Sequence, residues 1–173
     1  MLFRSFNAPD YVNATEEKDG GKSTNFYSTR TGDMPHMWDE FNFLKTVVPS
    51  HIEAAVEEWK LSKVPYFPAE SWINEHKRGG WTGEHYHRGA YFVLVYYLSV
   101  PDGSGNLMVR DPLEYHWSGF KSMPDRGIDN MWYPLEVKAG DLLLFPGWIK
   151  HKTEASLSDE SRYIMSINFD ANI

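Results

Sequence analysis

Cysteine is absent from all 173 residues of the chain. That excludes disulfide frameworks, thiolate metal clusters, zinc fingers and cysteine nucleophiles, and weakly favours a reducing compartment. Long apolar runs are absent too. The longest, Ala90 to Leu98, is far short of the roughly 20 helical residues a bilayer core requires, so no membrane partner is expected. The opening Met1-Leu2-Phe3-Arg4-Ser5-Phe6-Asn7 lacks the apolar stretch of a signal peptide, and a cytoplasmic location is expected. Positive charge is scarce, with 17 Lys and Arg against 24 Asp and Glu, a net of −7. A broad phosphate-binding surface is therefore disfavoured, and nucleic acid is not expected as a partner.

What is present is ordinary except for the aromatics. An apolar fraction of 42% and a charged fraction of 24% fit one globular domain over residues 1–173. A chain of this size buries about 70% of its unfolded surface without needing a cross-link. The 7 Trp, 10 Tyr and 10 Phe favour pleated sheets, whose faces such side chains cover well.

Residues 1–37 are polar and aperiodic and read as an arm or long loop with a short strand near Phe3. From Met37 the pattern becomes helical: Phe41, Leu44, Val47 and Val48, then Pro49, then Ile52, Ala55, Val56 and Trp59, with Ser50 and Glu53 spaced as a capping box. This predicts two successive helices or one helix kinked at Pro49. Strands follow from Tyr66: Ser71–Asn74, Trp81–His87, Ala90–Ser99, Asn106–Arg110, Leu135–Val137, Asp141–Phe145 and Arg162–Phe169, separated by Gly and Pro turns. The expected fold is mainly β, a jelly roll with supporting helices in residues 1–69 and the β core in 70–173. The stretch 113–134 has no readable period and reads as a binding loop.

Candidate chemistry begins at His85-Tyr86-His87, where a period of two puts both imidazoles on one face of a strand. A shared metal ion explains such a pair, and so do two solvated side chains on a half-exposed strand. Further on, the apolar strand Asp141–Phe145 runs through Pro146-Gly147 and presents His151. Arg162 then opens a strand whose period places Ile164, Ser166 and Asn168 on its face. An arginine among apolar strands calls for a carboxylate, which its planar guanidinium holds in a fork, and Ser166 adds a hydroxyl. Asp111, in Arg110-Asp111-Pro112, reads equally as a partner holding an imidazole and as a turn former, while Glu84 faces away from His85. His36, His51, His76 and His116 read as loop, helix or turn residues without a role, His76 because Lys77-Arg78-Gly79-Gly80 follows it.

Taken together, these pieces resemble the iron(II) and 2-oxoglutarate-dependent oxygenases. The matching residues are His85-Tyr86-His87, Tyr96-Tyr97-Leu98, Gly140-Asp-Leu-Leu-Leu-Phe-Pro146, His151, and Arg162 with Ser166-Ile-Asn-Phe169. Asp111-Pro112 and Phe145-Pro-Gly-Trp148 extend the likeness to small, mostly uncharacterised oxygenases of marine bacteria and their phages; for a phage gene the compartment is the host cytoplasm. The resemblance covers residues 70–170 and implies a double-stranded β-helix. It implies Fe(II) held by His85, His87 and His151, and 2-oxoglutarate held by Arg162 with Tyr97 and Ser166. Asp111 and Asn74 would support the site from behind. His87 departs from the superfamily, most of whose members have Asp or Glu there. The implied reaction hydroxylates a peptide, protein or small molecule and releases succinate and CO2. A three-histidine metal enzyme without 2-oxoglutarate, or a non-catalytic jelly roll, is the alternative; an Arg162 buried facing the metal separates the 2-oxoglutarate oxygenase from the three-histidine enzyme, and metal content separates both from the jelly-roll module. Trp72, Trp81, Tyr91 and Trp148 read as core or as walls of the substrate mouth. The primary substrate and oligomeric state are not legible in the sequence.

Overall fold

The computed structural model describes residues 21–114 and 131–172; of Phe26 and Tyr27 it describes the backbone. The expected strand near Phe3, His116 and most of the 113–134 loop lie outside the described residues. Eight strands are described: β1 (Gly21–Ser23), β2 (Tyr66–His76), β3 (Phe92–Ser99), β4 (Leu107–Arg110), β5 (Trp132–Leu135), β6 (Leu142–Pro146), β7 (His151–Thr153) and β8 (Arg162–Ala171). Two α-helices, α1 (Asn25–Thr31) and α2 (Leu44–Glu58), precede β2. One sheet runs β1-β2-β8-β3-β6 and a smaller one β5-β4-β7, all antiparallel.

The apolar run in β3 reflects burial on both faces. Phe92 and Leu94 point to one core with Ile73, Met165, Ile167 and Phe169, while Val93, Val95 and Tyr97 join Ile164 in a second. The first core is closed by α2, whose Leu44, Val48, Ile52, Ala55 and Val56 form one apolar stripe at helical spacing. The second lines the inside of the roll. β8 sorts its residues in the same way, so Arg162, Ile164, Ser166 and Asn168 face inward, as the period predicts.

Several local expectations are corrected. Pro49 neither ends the helix nor separates two helices: it lies inside the second turn of α2, where it contributes no N–H to the helical ladder and the helix runs on to Glu58. Ser50 caps nothing and instead donates its hydroxyl to the Val47 carbonyl. The strand expected at Leu135–Val137 is β5, shifted into the supposed loop at Trp132–Leu135. Residues 81–87 form no strand; a single bridge pairs His85 with His151. The large sheet also recruits β1 from the expected arm and starts β2 at Tyr66, ahead of residue 70.

Candidate metal centre

Among the described residues, one group of side chains has the makings of a metal site: His85, His87 and His151, whose facing ligand atoms all lie within 4.8 Å of one another. Tyr86, between the first two, is half exposed, so the alternation expected of a strand survives in an irregular segment. Backbone bonds explain why. His85 N–H donates to the His151 carbonyl at 3.0 Å and His151 N–H returns a bond at 2.9 Å, while His87 N–H donates to the Gly147 carbonyl at 2.9 Å. The β6–β7 turn thus grips both ends of the His-x-His.

The imidazoles are oriented by their far nitrogens. Nδ1 of His85 meets the Gly83 carbonyl at 2.8 Å, Nδ1 of His151 the Ile149 carbonyl at 3.0 Å, and Nδ1 of His87 the Asn168 side-chain oxygen at 2.6 Å. Each acceptor requires a proton on Nδ1, which leaves a bare lone pair on every Nε2. Nε2 of His87 and Nε2 of His151 are 3.4 Å apart. Two lone pairs so placed repel unless a cation lies between them. Burial lowers His87 to about 4 and His151 to about 3, although the Asn168 bond on His87 and the Ile149 bond on His151 act the other way. These two are therefore neutral donors. Three neutral imidazole nitrogens suit a first-row divalent ion and leave coordination positions open. Trp72 stacks on His87 at 5.6 Å, and Phe145 packs edge-on against His151 at 4.9 Å, fixing both rings.

A cavity of about 440 Å³ leads away from His85 and His151 past Trp72, Asn74, Thr82, Tyr97 and Ser166. Asn74, Tyr97 and Ser166 are thus brought together on its wall, and burial drives the Tyr97 hydroxyl up to about 12. A larger cleft of about 850 Å³ lies on the other side of the sheet, against α2, away from the histidines. Arg162 is wholly buried on the inward face of β8, within electrostatic reach of Tyr97. Its Nη1 donates to the Gly105 carbonyl at 3.0 Å and its Nη2 to Nδ1 of His76 at 2.8 Å. Its Nε is the sole buried side-chain nitrogen or oxygen without a partner among the described residues. A buried cation with a spare donor fits an anionic group such as a carboxylate.

Asp111 accepts the Leu113 N–H at 2.8 Å and the Tyr133 hydroxyl at 3.3 Å, as a turn former does. Glu84 faces away from the histidines and pairs with Arg110 and Lys150. Trp81, Tyr91 and Trp148 are surface residues. His76 is the residue that the sequence reading passed over. It ends β2 rather than sitting in the following turn, is buried, and bonds Arg162. The available signal was the inward period of β2, which runs Trp72, Asn74, His76.

Residues 70–170, more than half of the chain, match the family described as "Putative 2OG-Fe(II) oxygenase". Among curated proteins none matches. Of solved structures, HygX from Streptomyces hygroscopicus with nickel and 2-oxoglutarate bound is 12% identical over 91% of this chain and 84% of its own, with a TM-score of 0.56. A Pseudomonas putida prolyl-4-hydroxylase is 14% identical over 82% and 70%, with a TM-score of 0.53. EvdMO1 is 18% identical with a TM-score of 0.53; the alignment covers 80% of this chain but only 34% of that one, so the chain spans about a third of its length. These likenesses support the double-stranded β-helix. The chain belongs to the 2OG-Fe(II) oxygenase family, oxidoreductases that take Fe(II) and 2-oxoglutarate.

Proposed function

We propose that the chain is a 2-oxoglutarate-dependent hydroxylase of a peptide, protein or small molecule. His85, His87 and His151 hold the iron, and Arg162, with Tyr97 and Ser166, holds the far carboxylate of the cosubstrate. The observation that carries this reading is the wholly buried Arg162 with a spare Nε, on the same inward strand face as Ser166 and as the Asn168 that orients His87. Such burial favours the reading over a three-histidine enzyme without a dicarboxylate. When bound, Fe(II) lets dioxygen place one oxygen atom in succinate, with release of CO2, and the other in a substrate C–H bond.

The protein's own part is positioning. Nδ1 partners keep three lone pairs converging, Trp72 and Phe145 keep the rings from turning, and the apolar walls Val95, Leu107 and Ile164 limit water in the cavity. Asn74 lines the same cavity, and Asp111 steadies the end of β4 beside the His151 strand. Three neutral ligands leave the metal's full charge to be balanced by the cosubstrate's own carboxylates. The net charge of −7 weighs against a nucleic-acid substrate.

Anaerobic titration of the Fe(II)-loaded protein with 2-oxoglutarate tests this. A saturable visible charge-transfer band is expected. Arg162→Ala should keep the metal but weaken 2-oxoglutarate by about 30-fold or more, the scale of losing a buried charged hydrogen-bond partner. His151→Ala should lose both. Absence of the band with iron bound, or equal affinity in Arg162→Ala and the parent, overturns the assignment.

A further inference from the structure

Arg162 is held only by neutral acceptors. The Gly105 carbonyl takes one N–H and Nδ1 of His76 another. Glu154, the carboxylate that acts on Arg162 electrostatically, is exposed and accepts the Asn106 N–H instead. A carboxylate in place of His76 would hold the guanidinium equally well but cancel its charge. An imidazole holds it and leaves the charge for a ligand.

His76 accepts from Arg162 in only one tautomer: the guanidinium can only donate, so the Nδ1 it faces at 2.8 Å carries the lone pair and the ring proton sits on Nε2. The Thr82 hydroxyl, 2.8 Å from Nε2, is placed to accept that proton and hold the ring in this orientation. Thr82 lines the cavity, and its own N–H is fixed on the Thr153 hydroxyl at 2.8 Å. Gly105 is equally constrained: its φ is +77°, and a Cβ there would stand 2.9 Å from Cβ of Glu154. Both acceptors are therefore rigid.

We propose that His76 is a positioning residue for the distal carboxylate of the keto-acid cosubstrate, acting through Arg162: it holds the guanidinium with Nε–H free and its charge uncancelled. The inference rests on the reading of Arg162 given above. It goes further in assigning to a strand-end histidine outside the metal site the selection of dicarboxylic over monocarboxylic keto acids.

The test compares 2-oxoglutarate with 2-oxobutanoate, which lacks the far carboxylate, each titrated anaerobically into Fe(II)-loaded parent, His76→Asn and His76→Gln, with the visible band as readout. The Asn amide reaches the Nδ1 position and keeps an acceptor for Arg162; the Gln amide reaches the Nε2 position and keeps only the Thr82 bond. Expected is a loss of about tenfold or more in 2-oxoglutarate affinity for His76→Gln, the scale of one hydrogen bond to a charged group. His76→Asn should retain most of the parent affinity, and 2-oxobutanoate affinity should stay within about twofold in both, since neither Arg162 nor its partners touch that ligand. Equal weakening of both keto acids, indistinguishable Asn and Gln variants, or parental affinity in His76→Gln overturns the role of His76 while leaving that of Arg162 standing. A parent that binds both keto acids equally well removes the Arg162 reading and this inference with it.

Discussion

At the scale of single residues, the ligand histidines were legible because period-two spacing survives even where no strand forms: Tyr86 turns outward and its neighbours inward. His76 was hidden by the Lys77–Gly80 turn signal, and its partner Arg162 is 86 residues away, beyond any local pattern. Its burial has a pH consequence. Burial first, and the Arg162 charge second, lower it from 6.5 to about 3, so the folded state keeps it neutral where the unfolded chain protonates. Stability linked to His76 is therefore complete above pH 6.5 and is lost as pH falls from there toward 3, at about 1.4 kcal/mol per pH unit. His76→Asn should be less stable than the parent at pH 7, and chemical denaturation of the metal-free proteins should show the gap narrowing by about 2 kcal/mol at pH 5. A gap unchanged with pH would mean that the imidazole is not neutral in the fold.

At the scale of elements, the apolar strands were legible, the short β4 and β6 among them, and the three-residue ones were not. β3 and β8 announce themselves by length and apolar content, whereas β1 and β7 have three residues each and owe their existence to neighbours. β5 contains Pro134 and sits at a sheet edge, where a proline is tolerated, which is why its sequence reads as loop. The turn from β6 to β7 matters most to the site. A Cβ on Gly147 would collide with the Ala90 carbonyl, and the Gly147 carbonyl holds the His87 N–H. Gly147→Ala should therefore push the two segments apart, weakening metal affinity by about tenfold or more while destabilising the fold by about 1–3 kcal/mol. Competitive metal titration alongside urea unfolding separates the two effects; unaltered metal affinity would show that this turn does not set the position of His87.

At the scale of the whole molecule, the architecture divides labour between the two faces of the large sheet. The outward face packs on α2 and carries stability; the inward face carries Arg162, Ser166 and Asn168, the partner of His87. Ile52→Ala, which opens a space in the α2 contact, should cost about 2–4 kcal/mol of stability and leave the metal affinity of the folded protein unchanged. Coupled losses of both, measured by unfolding and metal titration, would show that the faces are not independent. The roll itself was readable from strand count and the helix from its stripe; the choice of substrate was not, because the outer surface follows no period. One feature ties the two sheets together. His87 and His151 are 64 residues apart in sequence, and their segments meet through the His85–His151 bridge pair, the His87 N–H on the Gly147 carbonyl and the bonds between Thr82 and Thr153. In a chain without cysteine, an ion held by both segments is a cross-link that forms and breaks by mass action, adding about 2.7 kcal/mol when free metal is a hundredfold above its dissociation constant. Heat tolerance should therefore be partly a property of the protein's surroundings, rising with free iron(II) and falling where iron is scarce.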